Sequence, residues 1–424
     1  MGRVAVIHPD LGVGGAERLI VDVCKALKDC HHRVVLYTGY HNVDRCFEET
    51  RDGTIKTIPV GQWIPRSIFG KFHALLAYLK MIYIAFYIML WSSHDVIICD
   101  QVSACIPFLK LDIRNKAKII FYCHFPDQLL TRRETLAKTI YRKPLDTFEE
   151  WSTSLADQIL VNSRFTQKIV KQTFKSLKNR ELTVLHPCVD VKSFVERKPR
   201  DQDCDKLYEQ NVLLSKDNFT FLSLNRFERK KSLETAIVAL SKCHLNLTRD
   251  IDTSTIDKKN KKKLNTIHLI VAGGYDPRLD DCVAYYNELV HLTKDLKLEL
   301  NVTFIKSPSD DDKLKLLQIC DAVVYTPENE HFGIVPLEAM AMSKPVIASA
   351  SGGPLETVLD EVNGYLCSTD DDDAFWVAML KLYSNQDRCV DMGKNGFEHV
   401  KKLFSYEVFC HNLNEICFPR RRED

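Results

Sequence analysis

The chain has 424 residues, 45% of them hydrophobic, with a net charge of +1 and 15 cysteines. That length suits two domains with sizeable cores, and the near-zero charge offers no field that would select nucleic acid or an acidic partner. No Cys-x-x-Cys pair occurs, so neither a zinc site nor a redox dithiol is signalled, and free buried thiols in a reducing compartment fit best.

The opening MGRVAVIHPD predicts a strand over 3–8 with no signal peptide before it. DLGVGGAER follows, and Gly12, Gly14 and Gly15 form a strand-to-helix turn that a phosphate or a sugar can approach. The spacing is not that of the dinucleotide fingerprint. AERLIVDVCKALKD then sets Leu19, Ile20, Val23, Ala26 and Leu27 at helical spacing. RVVLY, DVIIC, KIIFYC and QILVNS are further short apolar runs. Strands alternating with helices imply right-handed crossovers and a parallel sheet covered on both faces.

After VLHPCVD at 184–190 the pattern breaks. Residues 196–216 are rich in charge, carry Pro199, and read as a linker. A second cycle follows: FTFLSL, a helix from about residue 232, IHLIVAGG, NVTFI, DAVVYT and PVIAS. The expected organisation is therefore α/β, with one doubly wound unit over 1–195, the linker, and a second over 217–395. The tail 396–424 is expected to form a helix with a stripe through Val408, Phe409, Leu413 and Ile416 that docks elsewhere. Ligands of such sheets sit at the carboxyl ends of strands, so two units facing each other would form a cleft. DKKNKKK, at 257–263, reads as an inserted solvated loop or as a contact for anionic lipid.

The stretch ALLAYLKMIYIAFYIMLW, at 74–91, contains one charge, Lys80. Its length admits a membrane span. Strands on both sides of it in the sequence belong to one sheet, which a crossing would divide. It is therefore expected either to lie in the membrane interface or to be an apolar core helix. Tyr78, Tyr83, Tyr87 and Trp91 suit the headgroup boundary.

Several residues carry candidate chemistry. TPENEHFGIVPLEAMAMSKPVIAS, at 326–349, places Glu330 and Glu338 on either side of Gly333 and a helix start. Glu338 by itself could be an ordinary first-turn acid. Gly333 permits close backbone approach, and the N–H groups of Ile334 and Val335 can meet an anion. A diphosphate there would have a carboxylate on each side to accept hydrogen bonds from sugar hydroxyls, which suits a nucleotide sugar. NRFERKKSLETA follows the first strand of the second cycle. Its Arg226 and Lys231 are the candidate phosphate partners, the one a planar fork and the other a point charge. These cations can replace a metal, and Asp201, Asp203 and Asp205 in the expected linker receive no metal role. His124 in YCHFPDQLL stands just beyond a strand, and Gly273 and Gly274 in AGGYDPR end another.

Taken together, GVGGAER, the strand-end His124, Arg226 with Lys231, and Glu330-x7-Glu338 resemble the retaining glycosyltransferases of the GT-B fold over nearly the whole chain. CHFPDQLL, NRFERKKSL and AGGYDPRLDDCVAYYNEL resemble, more narrowly, the mannosyltransferases of dolichol-linked oligosaccharide assembly. The resemblance implies GDP-mannose as donor and no cofactor. The implied acceptor is a dolichol-diphosphate-linked mannosyl-chitobiose at the cytosolic face of the endoplasmic reticulum membrane. One α-1,3 and one α-1,6 mannose would be added, and assembly with other early mannosyltransferases is an implied possibility. The first unit would hold the acceptor, the second the nucleotide sugar, and the C-terminal helix would cross back onto the first. Glu338 is implied on the donor ribose, Glu330 near the sugar hydroxyls, and Gly333, Ile334 and Val335 on sugar and diphosphate. Arg226 and Lys231 would stabilise the departing phosphate, and His124 would contact the donor mannose. Some family members carry further hydrophobic C-terminal segments. This sequence ends CFPRRRED, so its membrane hold is expected from 74–91. Two alternatives stand beside this reading: a transferase using a UDP-sugar, and a catalytically silent membrane scaffold.

Overall fold

A computed structural model describes residues 1–68, 72–131, 133, 135–211, 213–253 and 267–419. The lysine-rich 257–263 lies outside the described residues. The chain divides into two units, Met1–Cys188 with Tyr406–Asp424, and Val189–Ser405.

The first unit is built on β1 (Arg3–His8), β2 (Arg33–Thr38), β3 (Thr57–Pro59), β4 (Val96–Asp100), β5 (Lys118–Cys123), β6 (Gln158–Val161) and β7 (Thr183–Val184). They form one sheet in the order β3-β2-β1-β4-β5-β6-β7, with parallel registers such as Val4↔Val34 and Val4↔Val96. Side chains alternate faces along a strand, and the core obeys this closely. Val4, Val6, Val96 and Ile98 pack with Leu19, Ile20 and Val23 of the helix Gly15–Asp29 and with Phe409 and Leu413 of the helix Tyr406–Cys417. Ala5, Ile7, Ile97 and Cys99 pack on the opposite face with Met81, Ile84 and Ile88 of the helix His73–Trp91. Burial on both faces explains why these strands read as continuous apolar runs.

The second unit repeats the plan with β8 (Phe219–Leu224), β9 (Ile267–Gly273), β10 (Val302–Lys306), β11 (Ala322–Tyr325), β12 (Val346–Ser349) and β13 (Gly364–Cys367). The order is β10-β9-β8-β11-β12-β13, again in parallel pairs. Phe219, Phe221, Leu269 and Val271 face Ala236, Ile237 and Leu240 of the helix Leu233–Thr253. Leu222, Leu224, Ile270 and Ala272 face Leu316 and Leu317 of the helix Asp310–Ile319.

Two expectations need correction. Residues 196–216 are not a linker. They contain the helix Asp201–Gln210 of the second unit, and Leu207 and Leu214 belong to its core. Cys204, Leu207 and Tyr208 keep helical spacing inside a charged segment, and the charge masked the stripe. Asp203 accepts from the Arg200 N–H at 2.9 Å, and Asp205 pairs with Lys216 at 2.7 Å. The helix Gln386–Leu403 also stays in the second unit, so only Tyr406–Cys417 joins the first. The chain leaves the first unit and returns to it side by side, with Val189 N–H donating to the Phe404 carbonyl at 2.9 Å.

The helix His73–Trp91 is long and apolar enough to cross a membrane by length and composition. However, β1 and β4, which precede and follow it in the chain, are hydrogen-bonded neighbours, and no crossing can separate them. One face packs on the sheet, and Leu75, Leu79, Tyr83, Phe86 and Leu90 form an exposed stripe on the other. Lys80, the only charge, is buried at 5% exposure, so the outer stripe is uncharged. Of the aromatic residues assigned to the headgroup boundary, Tyr83 and Trp91 are exposed, Tyr78 is buried, and Tyr87 is half-buried beside Tyr37.

Candidate active site

Strand order reverses direction at β1 and β4 in the first unit and at β8 and β11 in the second. Helices connecting to these strands lie on opposite faces of each sheet, so the strand ends open a crevice there. The chemistry-bearing residues gather at these two places.

In the second unit the short helical turn Arg229–Lys231 follows β8. Ser232 then takes a left-handed backbone, φ +47°. Lys231 is only 8% exposed. Its carbonyl accepts from the Thr326 hydroxyl at 2.7 Å, and the Thr326 carbonyl accepts from the Ser349 hydroxyl at 2.8 Å. These bonds tie Lys231 to the ends of β11 and β12. Its ammonium forms an ion pair with Glu330. Glu330 is fixed through its backbone: Gly353 N–H donates to its carbonyl at 2.8 Å. Gly352 has φ +65°, and a Cβ there would stand 2.4 Å from that same carbonyl. Gly352 and Gly353 are thus positional residues that sequence reasoning missed; SGGP directly after β12 was the available signal.

Gly333, φ +80°, precedes the helix Ile334–Ala341. A Cβ on it would meet the Tyr325 hydroxyl at 3.1 Å. Pro336 falls in the first turn, where its missing N–H costs nothing. Burial, with Glu330 and then Glu338 nearby, pushes the Tyr325 phenol well above its ordinary pKa. Both glutamates therefore stand around the end of β11. Glu338 Oε1 pairs with Lys313 Nζ at 2.5 Å, while its Oε2 is buried with no partner among the described residues. Lys313 was also missed, hidden in the run DDDKLK.

Other assigned residues separate. Arg226 is exposed and paired with Glu228 at 3.0 Å, unlike the sequestered Lys231. Gly274 packs against the stem of Arg226, 3.1 Å from where its Cβ would be. Gly273, φ +153°, has no room for a Cβ beside the Asn225 carbonyl, so the fold itself accounts for this glycine. In the first unit, Gly12, Gly14 and Gly15 have no positive φ. The backbone conformation of the turn does not itself require glycine there. A Cβ at Gly12 or Gly15 would meet nothing within 4 Å, so these backbones are open to approach.

His124 follows β5, one-fifth exposed, with Nε2 at 2.9 Å from Asp100 Oδ1. His8 Nδ1 lies 2.7 Å from Asp100 Oδ2. Burial alone would raise the Asp100 carboxyl, but His124 and then His8 hold it below the usual carboxylate range. Neither His8 nor Asp100 was picked out from the sequence, although IHPD and IICD end the two strands at the point where strand order reverses. Asn162 Nδ2 donates to the His124 carbonyl at 3.2 Å.

Two family models match the chain: Glycosyltransferase Family 4 over residues 13–193, and Glycosyl transferases group 1 over residues 205–399. The chain is 42% identical over 420 residues to the alpha-1,3/1,6-mannosyltransferase ALG2 of Dictyostelium discoideum, covering 98% of this chain and 97% of that one. It is 41% identical over 414 residues to the protein of the same name from Mus musculus, covering 97% and 94%. Sucrose-phosphate synthase from Thermosynechococcus elongatus shares the fold, with a TM-score of 0.74, 20% identity and 98% coverage of each chain. The paired parallel-sheet units are those of the GT-B glycosyltransferases, and with identity at this level along nearly the full length, the chain belongs to the alpha-1,3/1,6-mannosyltransferase ALG2 family of glycosyltransferases.

Proposed function

We propose that this chain transfers mannose, with retention, from GDP-mannose to a dolichol-diphosphate-linked mannosyl-chitobiose, making one α-1,3 and one α-1,6 linkage. The observation that carries the reading is Lys231, nearly buried and ion-paired with Glu330 where β8 and β11 end, next to the helix start at Gly333.

The residues divide the work as follows. A donor diphosphate competes with Glu330 for the Lys231 ammonium and receives the N–H groups of Ile334 and Val335, which point along a helix N-terminus. Glu330, released from Lys231, accepts hydrogen bonds from hydroxyls of the mannose. Glu338 accepts from the ribose through Oε2, while Lys313 holds its other oxygen. Arg226, at the surface, adds charge to the approach of the diphosphate, and Gly274 keeps its stem in place. The turn of Gly12, Gly14 and Gly15, open at Gly12 and Gly15, admits phosphate or sugar in the first unit. His124 contacts the transferred mannose. The acceptor hydroxyl attacks the face from which the phosphate departs, and a phosphate oxygen takes its proton. Catalysis is then mainly positioning and charge stabilisation.

The membrane surface is met by the first unit. The exposed stripe of His73–Trp91 is joined through Trp63, in edge contact with Tyr83 at 5.7 Å, and Phe72, in edge contact with Tyr141 at 5.5 Å. Leu136, Ile140 and Trp151 of the helix Leu136–Ser154 are exposed as well. Such a surface suits an interfacial protein on the cytosolic face of the endoplasmic reticulum.

The test is transfer by the purified protein onto a synthetic lipid-linked acceptor, with GDP-mannose and UDP-sugars compared and product linkages determined. Both mannose linkages from GDP-mannose are expected. Transfer from a UDP-sugar alone, or the absence of GDP binding, overturns the reading.

A further inference from the structure

Asp100 ends β4 and is fully buried. Each of its oxygens faces a different imidazole, Oδ2 the Nδ1 of His8 and Oδ1 the Nε2 of His124. A carboxylate can only accept hydrogen bonds. Both facing ring nitrogens must therefore carry the proton. For His124 this leaves Nδ1 as the nitrogen not committed to Asp100, and in the neutral ring it bears a lone pair.

His8 has a different part. It is fully buried, and its Nε2 has no partner among the described residues. It cannot reach a ligand, yet it satisfies the second oxygen of a buried anion, which would otherwise be left unpaired at considerable cost. With both oxygens bound, the carboxylate plane cannot rotate, and the ring of His124 is held at a fixed angle. Tyr122, its ring centroid 4.9 Å from that of His124 and tilted by 52°, and the Asn162 bond to the His124 carbonyl restrain the same residue.

We infer that Asp100, oriented by His8, is a positioning residue that fixes His124 as its Nε2–H tautomer, leaving Nδ1 to accept a hydrogen bond from a hydroxyl of the transferred sugar. The inference rests on the proposed role of His124 at the mannose. Orientation of a functional histidine through its second nitrogen is a general device.

Asp100→Asn tests it, because it preserves shape and removes one acceptor. The amide can offer its oxygen to only one imidazole. Offering the NH2 to His8 would drive the His8 proton to Nε2, a buried donor with no described partner. The NH2 therefore faces His124, whose proton must move to Nδ1. The readout is the pair of ring nitrogen shifts of His124 in the 15N-histidine-labelled protein, assigned by their loss in His124→Gln. The expected result is Nε2–H in the wild type and Nδ1–H in D100N. With it, kcat should fall about 10–100-fold while KM for the donor stays within about threefold. A wild-type Nδ1–H tautomer overturns the inference, and that measurement decides even if D100N does not fold. An unchanged tautomer in folded D100N, or a changed one with unaltered turnover, overturns it equally. Absence of any mannosyl transfer by the wild type would instead strike the proposed function, leaving the tautomer result standing.

Discussion

Lys231 and Glu330 neutralise each other at the end of β8 and β11, and each is a liability without the other. Lys231→Ala should lower kcat by about 10²–10³, the scale of losing one charged contact to a developing anion. Product formation from GDP-mannose by the folded variant is the measurement, and near wild-type turnover would remove Lys231 from the mechanism. Glu330→Gln retains shape, frees the lysine and should also depress turnover strongly. It should spare binding of GDP alone, which lacks the mannose whose hydroxyls Glu330 is proposed to accept from, and calorimetric titration with GDP checks this. These two residues were legible because they lie in polar loops that follow apolar strand runs, NRFERKK after FTFLSL and TPENEHFG after DAVVY, where a parallel sheet opens to ligands. Lys313, Gly352, His8 and Asp100 were not. Their roles depend on what stands opposite them in three dimensions, and neither a lysine in DDDKLK nor an aspartate closing IICD announces its partner.

At the scale of elements, the helix His73–Trp91 divides into an inner and an outer face that composition could not separate. Apolar residues occupy both, so periodicity carries no information about which face is covered. Replacing Leu79, Tyr83, Phe86 and Leu90 by serine should abolish flotation with anionic vesicles while leaving the melting temperature nearly unchanged. Each loses about 1–2 kcal/mol of apolar burial in the interface. Continued flotation by the folded variant would place the anchor elsewhere. Ile88, by contrast, is 3% exposed and packs inward, so serine there should damage the fold itself.

The helix Leu136–Ser154 carries a second testable element. Glu149 accepts the N–H groups of Asp127 and Gln128 at 2.7 and 3.2 Å, pinning the turn that follows His124. Burial pushes its carboxyl from 4.5 up to about 7, against these bonds. A pKa higher in the folded state stabilises most below the unfolded value, and the contribution is lost as pH rises through about 7. Urea unfolding between pH 5 and 8.5 should show roughly 2–3 kcal/mol of this loss in the wild type and much less in Glu149→Gln. Identical pH profiles would dismiss it. The strands around these helices were readable as apolar, largely β-branched runs, whereas β3 and β7 are too short to stand out and GYLC of β13 has no β-branched residue. The helix Asp201–Gln210 was lost under its own charge.

At the scale of the whole molecule, the two sheets share one plan, strands in the order 3-2-1-4-5-6 within each unit, the first adding β7 at its edge. The helix Tyr406–Cys417 completes the first unit from the far end of the sequence, with Phe409, Leu413 and Cys417 buried. Leu413→Ala should destabilise that unit by about 2–5 kcal/mol. Thermal melts should show an early transition while the second unit, which does not contain this helix, keeps its own. A single unshifted melt would mean the helix contributes little. Because the first unit is written in two pieces, synthesis cannot finish it in order. A nascent chain emerging from the ribosome completes the second sheet while the face of Val4, Val6 and Ile98 has the helix Gly15–Asp29 but still lacks the second helix that packs there. Part of that greasy face stays exposed until the helix Tyr406–Cys417 has emerged, so a binder of exposed apolar surface should crosslink to stalled chains ending near Ser405 and let go once Cys417 is out.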